Sequence, residues 1–331
     1  MKKICASLVV GILALCLGMA AIGADAADIV MKVGHSQPTI TPRHQSFELF
    51  KKILEERSGG KIQVQIFPSG QLGNEPEMIE AVKLGALQAC RAGCFDDVTP
   101  ALNLYLMPFL FRDEKQVEAI CYGPIGAKIA KEAEKNGIVI PATGNAGGFR
   151  HFSCNKRPML TPDDMKGLKM RTPPLQSIIK AMEAMGANAV SIPYGETYMA
   201  LKTGVADGQE NPYTNITSMK FNEVQKYLTE VNYQFHPDPF YVSLKWWNTL
   251  PDEMKKLITE CAVEMMHEND KLVSEANKAS AEICKKTMQI SVLTPEQHQL
   301  FVEKMKPVYK IFLDKGCFTQ ADLDAVRAAG K

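Results

Sequence analysis

Two arginines, Arg150 and Arg171, stand where a cation would be useful in a chain otherwise poor in chemical signatures. Arg171 closes the strand-like pattern Leu168-Lys169-Met170-Arg171, and Thr172-Pro173-Pro174 then turns the chain out of any sheet. Ligands of open α/β sheets gather beyond the carboxyl ends of strands, so Arg171 is placed to meet one. A guanidinium is planar, permanently charged and able to hold a carboxylate or sulfonate through two parallel hydrogen bonds. Arg150 begins a second strand pattern directly after the glycine-rich stretch 144–148 (GNAGG). Against a binding role stands the commoner fate of arginines, a surface salt bridge. Residues 206–212 (ADGQENP) are dense in short polar groups. They read as a turn that presents amide donors and acceptors, or as a self-capped loop.

Catalytic patterns are scarce. The chain lacks a Gly-rich Lys-Ser/Thr phosphate loop, HExxH, Gly-x-Ser-x-Gly and Cys-x-x-Cys. His151 and Cys154, three apart on a strand, face opposite ways and do not make a nucleophile–base pair. Cys90 and Cys94 have no second pair to complete a tetrahedral metal site. An enzyme acting on a small acid, with Glu210 or His236 as its base, is the rival reading, and no cofactor is expected.

The elements that position the arginines follow an α/β order. Residues 29–34 (IVMKVG) and 61–67 (KIQVQIF) alternate as strands, with a helix from Thr41-Pro42 to about Arg57 between them. A helix over 76–84 and a strand over 86–92 continue the alternation, predicting a parallel sheet. A second set begins after the 144–148 stretch, which reads as a hinge or turn. It comprises strands near 150–154, 168–171, 188–192 and 205–208, with helices over 174–185 and 196–202. From Pro251 to about Met288 runs one long helix started by Thr249, Asp252 and Glu253. Its apolar residues are Met254, Ile258, Cys261, Met265, Leu272, Ala276, Ala279 and Ile283. At ~1.5 Å per residue it spans about 55 Å, enough to brace two lobes, although a coiled-coil dimer is the alternative.

The first residues read as an export signal: Lys2 and Lys3, an apolar run from Ile4 to Ile22, then Ala24-Asp25-Ala26. A retained anchor is the alternative reading of that run. Cleavage after Ala26 leaves about 305 residues, which suits two lobes. Of 38 basic and 37 acidic residues the leader takes Lys2, Lys3 and Asp25, leaving 36 of each. A neutral chain without a basic run does not point to nucleic acid, and any anion recognition must be local. Of nine cysteines, Cys5 and Cys16 lie in the leader, so seven remain and at least one is unpaired.

Six stretches carry a resemblance: Gln71-Leu72-Gly73, Gly148-Phe149-Arg150, residues 164–171 (DMKGLKMR), 206–212 (ADGQENP), 223–227 (EVQKY) and Leu250-Pro251. Together and in this order they resemble the DctP-type substrate-binding subunit of tripartite ATP-independent periplasmic (TRAP) transporters. The resemblance implies an α/β Venus-flytrap fold, with crossing hinge strands and one long helix spanning both lobes. It implies lobes formed by 27–148 plus 237–276 and by 149–236 plus 277–331. It also implies a monomer in the periplasm that serves two membrane subunits. Arg171 matches the family's carboxylate-binding arginine, Arg150 a second ligand arginine, Asn211 a ligand asparagine and Tyr194 an aromatic pocket position, with His35-Ser36 as the loop after the first strand. Where sialic-acid-binding relatives carry an acid and then an arginine, this chain has Arg91 and Cys94. If Arg91 faces the cleft, three arginines would suit a compact, strongly anionic ligand: a C4-dicarboxylate, a keto acid, or a small sulfonate such as isethionate. A binding protein for a sensor or another transporter class is the second alternative.

Overall fold

A computed structural model describes residues 29–330; the expected export leader and its cleavage site lie outside them. Ten strands form one continuous sheet: β1 (Ile29–His35), β2 (Ile62–Phe67), β3 (Ala89–Arg91), β4 (Ile138–Val139), β5 (Thr143–Cys154), β6 (Lys169–Thr172), β7 (Asn188–Ser191), β8 (Gly208–Asn211), β9 (Tyr227–Ser243) and β10 (Gln289–Val292). Their order is β2-β1-β3-β9-β5-β8-β6-β7, with β4 and β10 pairing on β9. Two parallel blocks, β2-β1-β3 and β8-β6-β7, flank the antiparallel pair β9–β5. That pair runs through both halves, so the molecule is a two-lobed Venus flytrap whose lobes share two long strands.

The 144–148 stretch is part of β5 rather than a turn. It holds one of two irregularities of the crossing pair, a shift in register between Asn145 and Phe149; the other falls between Arg150 and Phe152. Gly147 and Gly148 have φ of 154° and 100°. A Cβ there would collide with Asn215 and Asn277 respectively, so glycine lets two helices close on the bulge. Likewise 208–211 is a fully buried strand, not a turn. Short polar side chains conceal a strand that lies between β5 and β6, because its partners are backbone. The 17-residue β9 goes unseen in the sequence for a similar reason: Pro237 and Pro239 interrupt its pattern.

The long helix spans Asp252–Thr287, 36 residues and about 54 Å at ~1.5 Å each. Its N-terminal half buries Met254, Ile258, Cys261, Met265 and Met266 with Phe47, Phe50 and Phe240. The apolar stripe drawn from the sequence fails beyond that. Ala279 and Ile283 are exposed, and the buried face carries Asn269, Val273, Ser280 and Cys284. The cause is polar: this half grips the crossing strands. Asn269 Nδ2 donates to the Asn145 carbonyl at 2.8 Å, the Asn145 amide donates to Asp270 Oδ1 at 2.8 Å, and Asn277 Nδ2 donates to the Gly147 carbonyl at 2.6 Å. Pro251 is the N-cap, while Thr249 donates back to the Trp246 carbonyl. On the opposite face of the sheet one apolar core runs without a break beneath both halves.

Candidate functional site

A cavity of about 660 Å³ lies between the lobes, within the ~300–1,000 Å³ usual for small-molecule sites. Ser36, Arg43 and Glu75 line one wall; Arg150, Arg171, Tyr194, Asn211 and Asn215 line the other; Ala146 and His236 come from the crossing strands.

Arg171 is the penultimate residue of β6 and is 1% exposed. Its Nε and Nη2 donate to the Ile192 carbonyl at 2.9 and 2.7 Å. That bond fixes the plane of the guanidinium while leaving Nη1 without a hydrogen bond to any described residue. Burial lowers its pKa to about 10, with Glu210 acting in the other direction. A buried cation held only by a carbonyl is a poorly compensated charge, and an anion in the cleft would relieve it. The Tyr194 ring centroid lies 6.0 Å from the Arg171 Cζ. Tyr194 Oη accepts from Asn215 Nδ2 at 3.0 Å. Burial pushes the phenol up to about 12, so it stays neutral and keeps its proton for donation.

Arg150 follows the bulge in β5 and is clasped by Glu210. Its Nη2 donates to Glu210 Oε1 at 2.7 Å, and its Nε donates to Oε2. Burial alone would lower its pKa, but the Glu210 carboxylate more than reverses this. The same Nη2 donates to Asn211 Oδ1 at 3.1 Å, and Asn211 Nδ2 to Gln209 Oε1 at 2.5 Å. His236 Nε2 accepts the Cys94 amide at 3.2 Å, which leaves the ring proton on Nδ1. Burial, then Arg150 and Arg43, hold this histidine well below its usual value and neutral.

On the first wall the cation is paired with carboxylates. Arg43 donates to both oxygens of Asp238 (3.0 and 2.9 Å) and to Glu75 Oε1 (3.1 Å). Glu75 also accepts from Ser36 Oγ at 2.6 Å and from the Gly93 amide at 3.2 Å.

Two sequence candidates stand apart from the cleft lining. Arg91 is wholly buried: Nη2 donates to Asp238 Oδ2 at 2.5 Å and Asn269 Oδ1 at 3.0 Å, and Nη1 to Ser46 Oγ at 2.8 Å. It does not line the cavity. The expectation of a third cleft arginine is therefore corrected, because Asp238, invisible at 147 residues' separation, draws Arg91 inward. His35 is also buried outside the lining, stacked on Phe47 at 5.6 Å and 3.1 Å from His44. Sequence reasoning missed Arg43, Glu75 and Asn215. Arg43 and Glu75 occupy helix first turns, beside Pro42 and the Asn74 capping box, where each looks merely structural.

A cleft between two α/β lobes that share strands, holding one cation without an ion-pair partner among the described residues, has the form of a small-molecule binding site. The rival base residues are both engaged: Glu210 by Arg150 and Tyr233, His236 by a backbone amide. The family model DctP, bacterial extracellular solute-binding protein family 7, matches residues 33–315. The chain belongs to this family, the substrate-binding proteins of TRAP transporters, which are binding proteins rather than enzymes. It is 32% identical over 300 residues to the C4-dicarboxylate-binding periplasmic protein DctP of Vibrio cholerae, covering 88% of this chain and 89% of the relative. It is similar to the structure of a TRAP periplasmic solute-binding protein from Shewanella oneidensis with bound succinate. There the TM-score is 0.87 and the identity 30%, over 92% of this chain and 99% of that one. A TRAP periplasmic solute-binding protein from Desulfovibrio salexigens with bound orotic acid gives a TM-score of 0.85 and 31% identity, over 90% and 97%.

Proposed function

We propose that this protein is exported to the periplasm, cleaved after its leader, and there captures a small organic acid as a monomer for uptake through two TRAP membrane subunits. The candidate ligands are a C4-dicarboxylate, a keto acid, or a small sulfonate such as isethionate. One observation carries the reading: Arg171 is buried in the interlobe cleft with no ion-pair partner among the described residues, its guanidinium plane set by the Ile192 carbonyl. Such a group binds an oxyanion with gain where a paired arginine would not. The relatives with succinate and orotic acid support an acid ligand.

Capture works by closure. The open cleft leaves the anion and the arginines in water. Closing the lobes, 27–148 with 237–276 and 149–236 with 277–331, desolvates the anion among fixed donors: Arg171, Arg150, Tyr194 and Asn211. About 5 kcal/mol of preference for the closed form would drive closure nearly to completion. The closed form is the species the membrane subunits recognise. A thermal-shift screen against small carboxylates and sulfonates identifies the ligand, and calorimetry on Arg171→Lys tests the clamp. Affinity should fall at least tenfold, because the ammonium cannot reproduce the fixed guanidinium plane. Wild-type affinity in that variant would refute the assignment.

A further inference from the structure

Resting on that reading of the cleft, we infer that the ligand is a monoanion rich in oxygen acceptors, not a dianion. The first support is the balance of charge built into the walls. Arg43 and Arg91 share Asp238, and Arg43 also reaches Glu75, so two cations face two carboxylates. Arg150 faces Glu210 one to one. Arg171 alone among these arginines has no ion-pair partner among the described residues, so the cleft holds one unpaired cation. Glu77 and Glu196 stand exposed at the rim, where water screens them, and they too disfavour a second negative charge. When the lobes close on a dianion, one of its charges stays desolvated and unmatched, which is the costly arrangement.

The second support is the balance of hydrogen-bonding groups. Arg171 Nη1 and Arg150 Nη1 make no bond to a described residue. Tyr194 and His236 each accept one bond, at Oη and Nε2 respectively, leaving the Tyr194 hydroxyl proton and the His236 Nδ1 proton to donate. The one carboxylate in the central lining, Glu75, already accepts from Ser36, Arg43 and the Gly93 amide. Donors in excess select a ligand that brings acceptors: a 2-hydroxy or 2-oxo monocarboxylate, or a hydroxyalkane sulfonate.

The test is calorimetry on the mature chain at pH 7.5 with matched pairs: succinamate and succinate, lactate and malate, isethionate and sulfoacetate. In every pair that binds, the monoanion should be the tighter ligand by roughly tenfold, the scale of one unmatched charge at the edge of a protein interior. The first and third pairs separate carboxylate from sulfonate preference. A dianion that binds tighter than its monoanionic partner overturns the inference while leaving the organic-acid reading intact. Binding of neither member in all three pairs, with no carboxylate or sulfonate raising the melting temperature in the wider screen, overturns the organic-acid reading and the inference with it. Glu75→Gln adds one net positive charge and keeps an acceptor oxygen. It should shift the dianion-to-monoanion affinity ratio about tenfold toward the dianion, and an unchanged ratio counts against the charge balance. If circular dichroism shows that variant unfolded, Glu210→Gln makes the same change from the other wall and is read the same way.

Discussion

Arg91 and Arg171 are equally hidden, at 0% and 1% exposure, yet the two regions around them are built on opposite principles. Arg91 sits in a cluster where Asp238 serves two guanidinium groups and Ser46 and Asn269 take further donors. Arg171 donates only to a backbone carbonyl among the described residues, with the Tyr194 ring beside it. A buried cation with its carboxylate in place is structural; one without an ion-pair partner is the stronger candidate to meet a ligand. Burial alone therefore does not single out a candidate binding arginine, and the missing ion pair does.

Substitutions in the two regions should therefore act in opposite ways. Asp238→Ala is the most severe, because it strands Arg43 and Arg91 together in the interior. It should cost about 3–5 kcal/mol of stability, read from urea denaturation. Arg171→Met should do the reverse. Ligand affinity should fall by about 2–4 kcal/mol, roughly 30- to 1,000-fold, while unliganded stability holds or rises slightly. If Arg171→Met destabilised the free protein as much as Asp238→Ala, the contrast would be lost.

Asp270 supplies a smaller test on the far side of the Arg91 cluster. Burial raises its pKa to about 6, against the pull of Asn269, the Asn145 amide, Arg91 and His267. The unfolded value is about 3.9, so between about pH 4 and 6 the folded chain holds a proton that the unfolded chain has released. Stability contributed by this group is therefore present at pH 4, falls as pH rises to about 6, and is level above. Asp270→Asn keeps an acceptor oxygen for the Asn145 amide. It should be more stable than wild type by about 1–3 kcal/mol at pH 7.5 and equal to it at pH 4. The smallest effect belongs to ion pairs in water. Lys310→Ala removes the exposed contact with Asp314 and should leave the denaturation midpoint unchanged.

Much of the fold was legible. The strict alternation of residues 62–67, the Thr41-Pro42 helix start and the unbroken run to Thr287 are local signals, and each element lies within two residues of its expected place. Strand β9 was not legible, and β8 was expected over 205–208 but lies over 208–211. Strand β8 is made of short polar residues and β9 is interrupted by prolines, and both are held by backbone partners supplied from afar. In the site, Arg150, Arg171, Asn211, Tyr194 and Ser36 all line the cleft, whereas Arg91 and His35 turn away from it.

The sequence by itself determined the alternating α/β order, the neutral charge that makes anion recognition local, the long brace and the family. Periodicity, composition and short motifs are properties of neighbouring residues, so they survive without coordinates. Only the tertiary structure decided which arginines are free. That depends on carboxylates 147 and 195 residues away, Asp238 for Arg91 and for Arg43, and on Glu210 falling beside Arg150 across two strands. A charge is compensated by what lies within a few ångströms, and chain order does not record that distance.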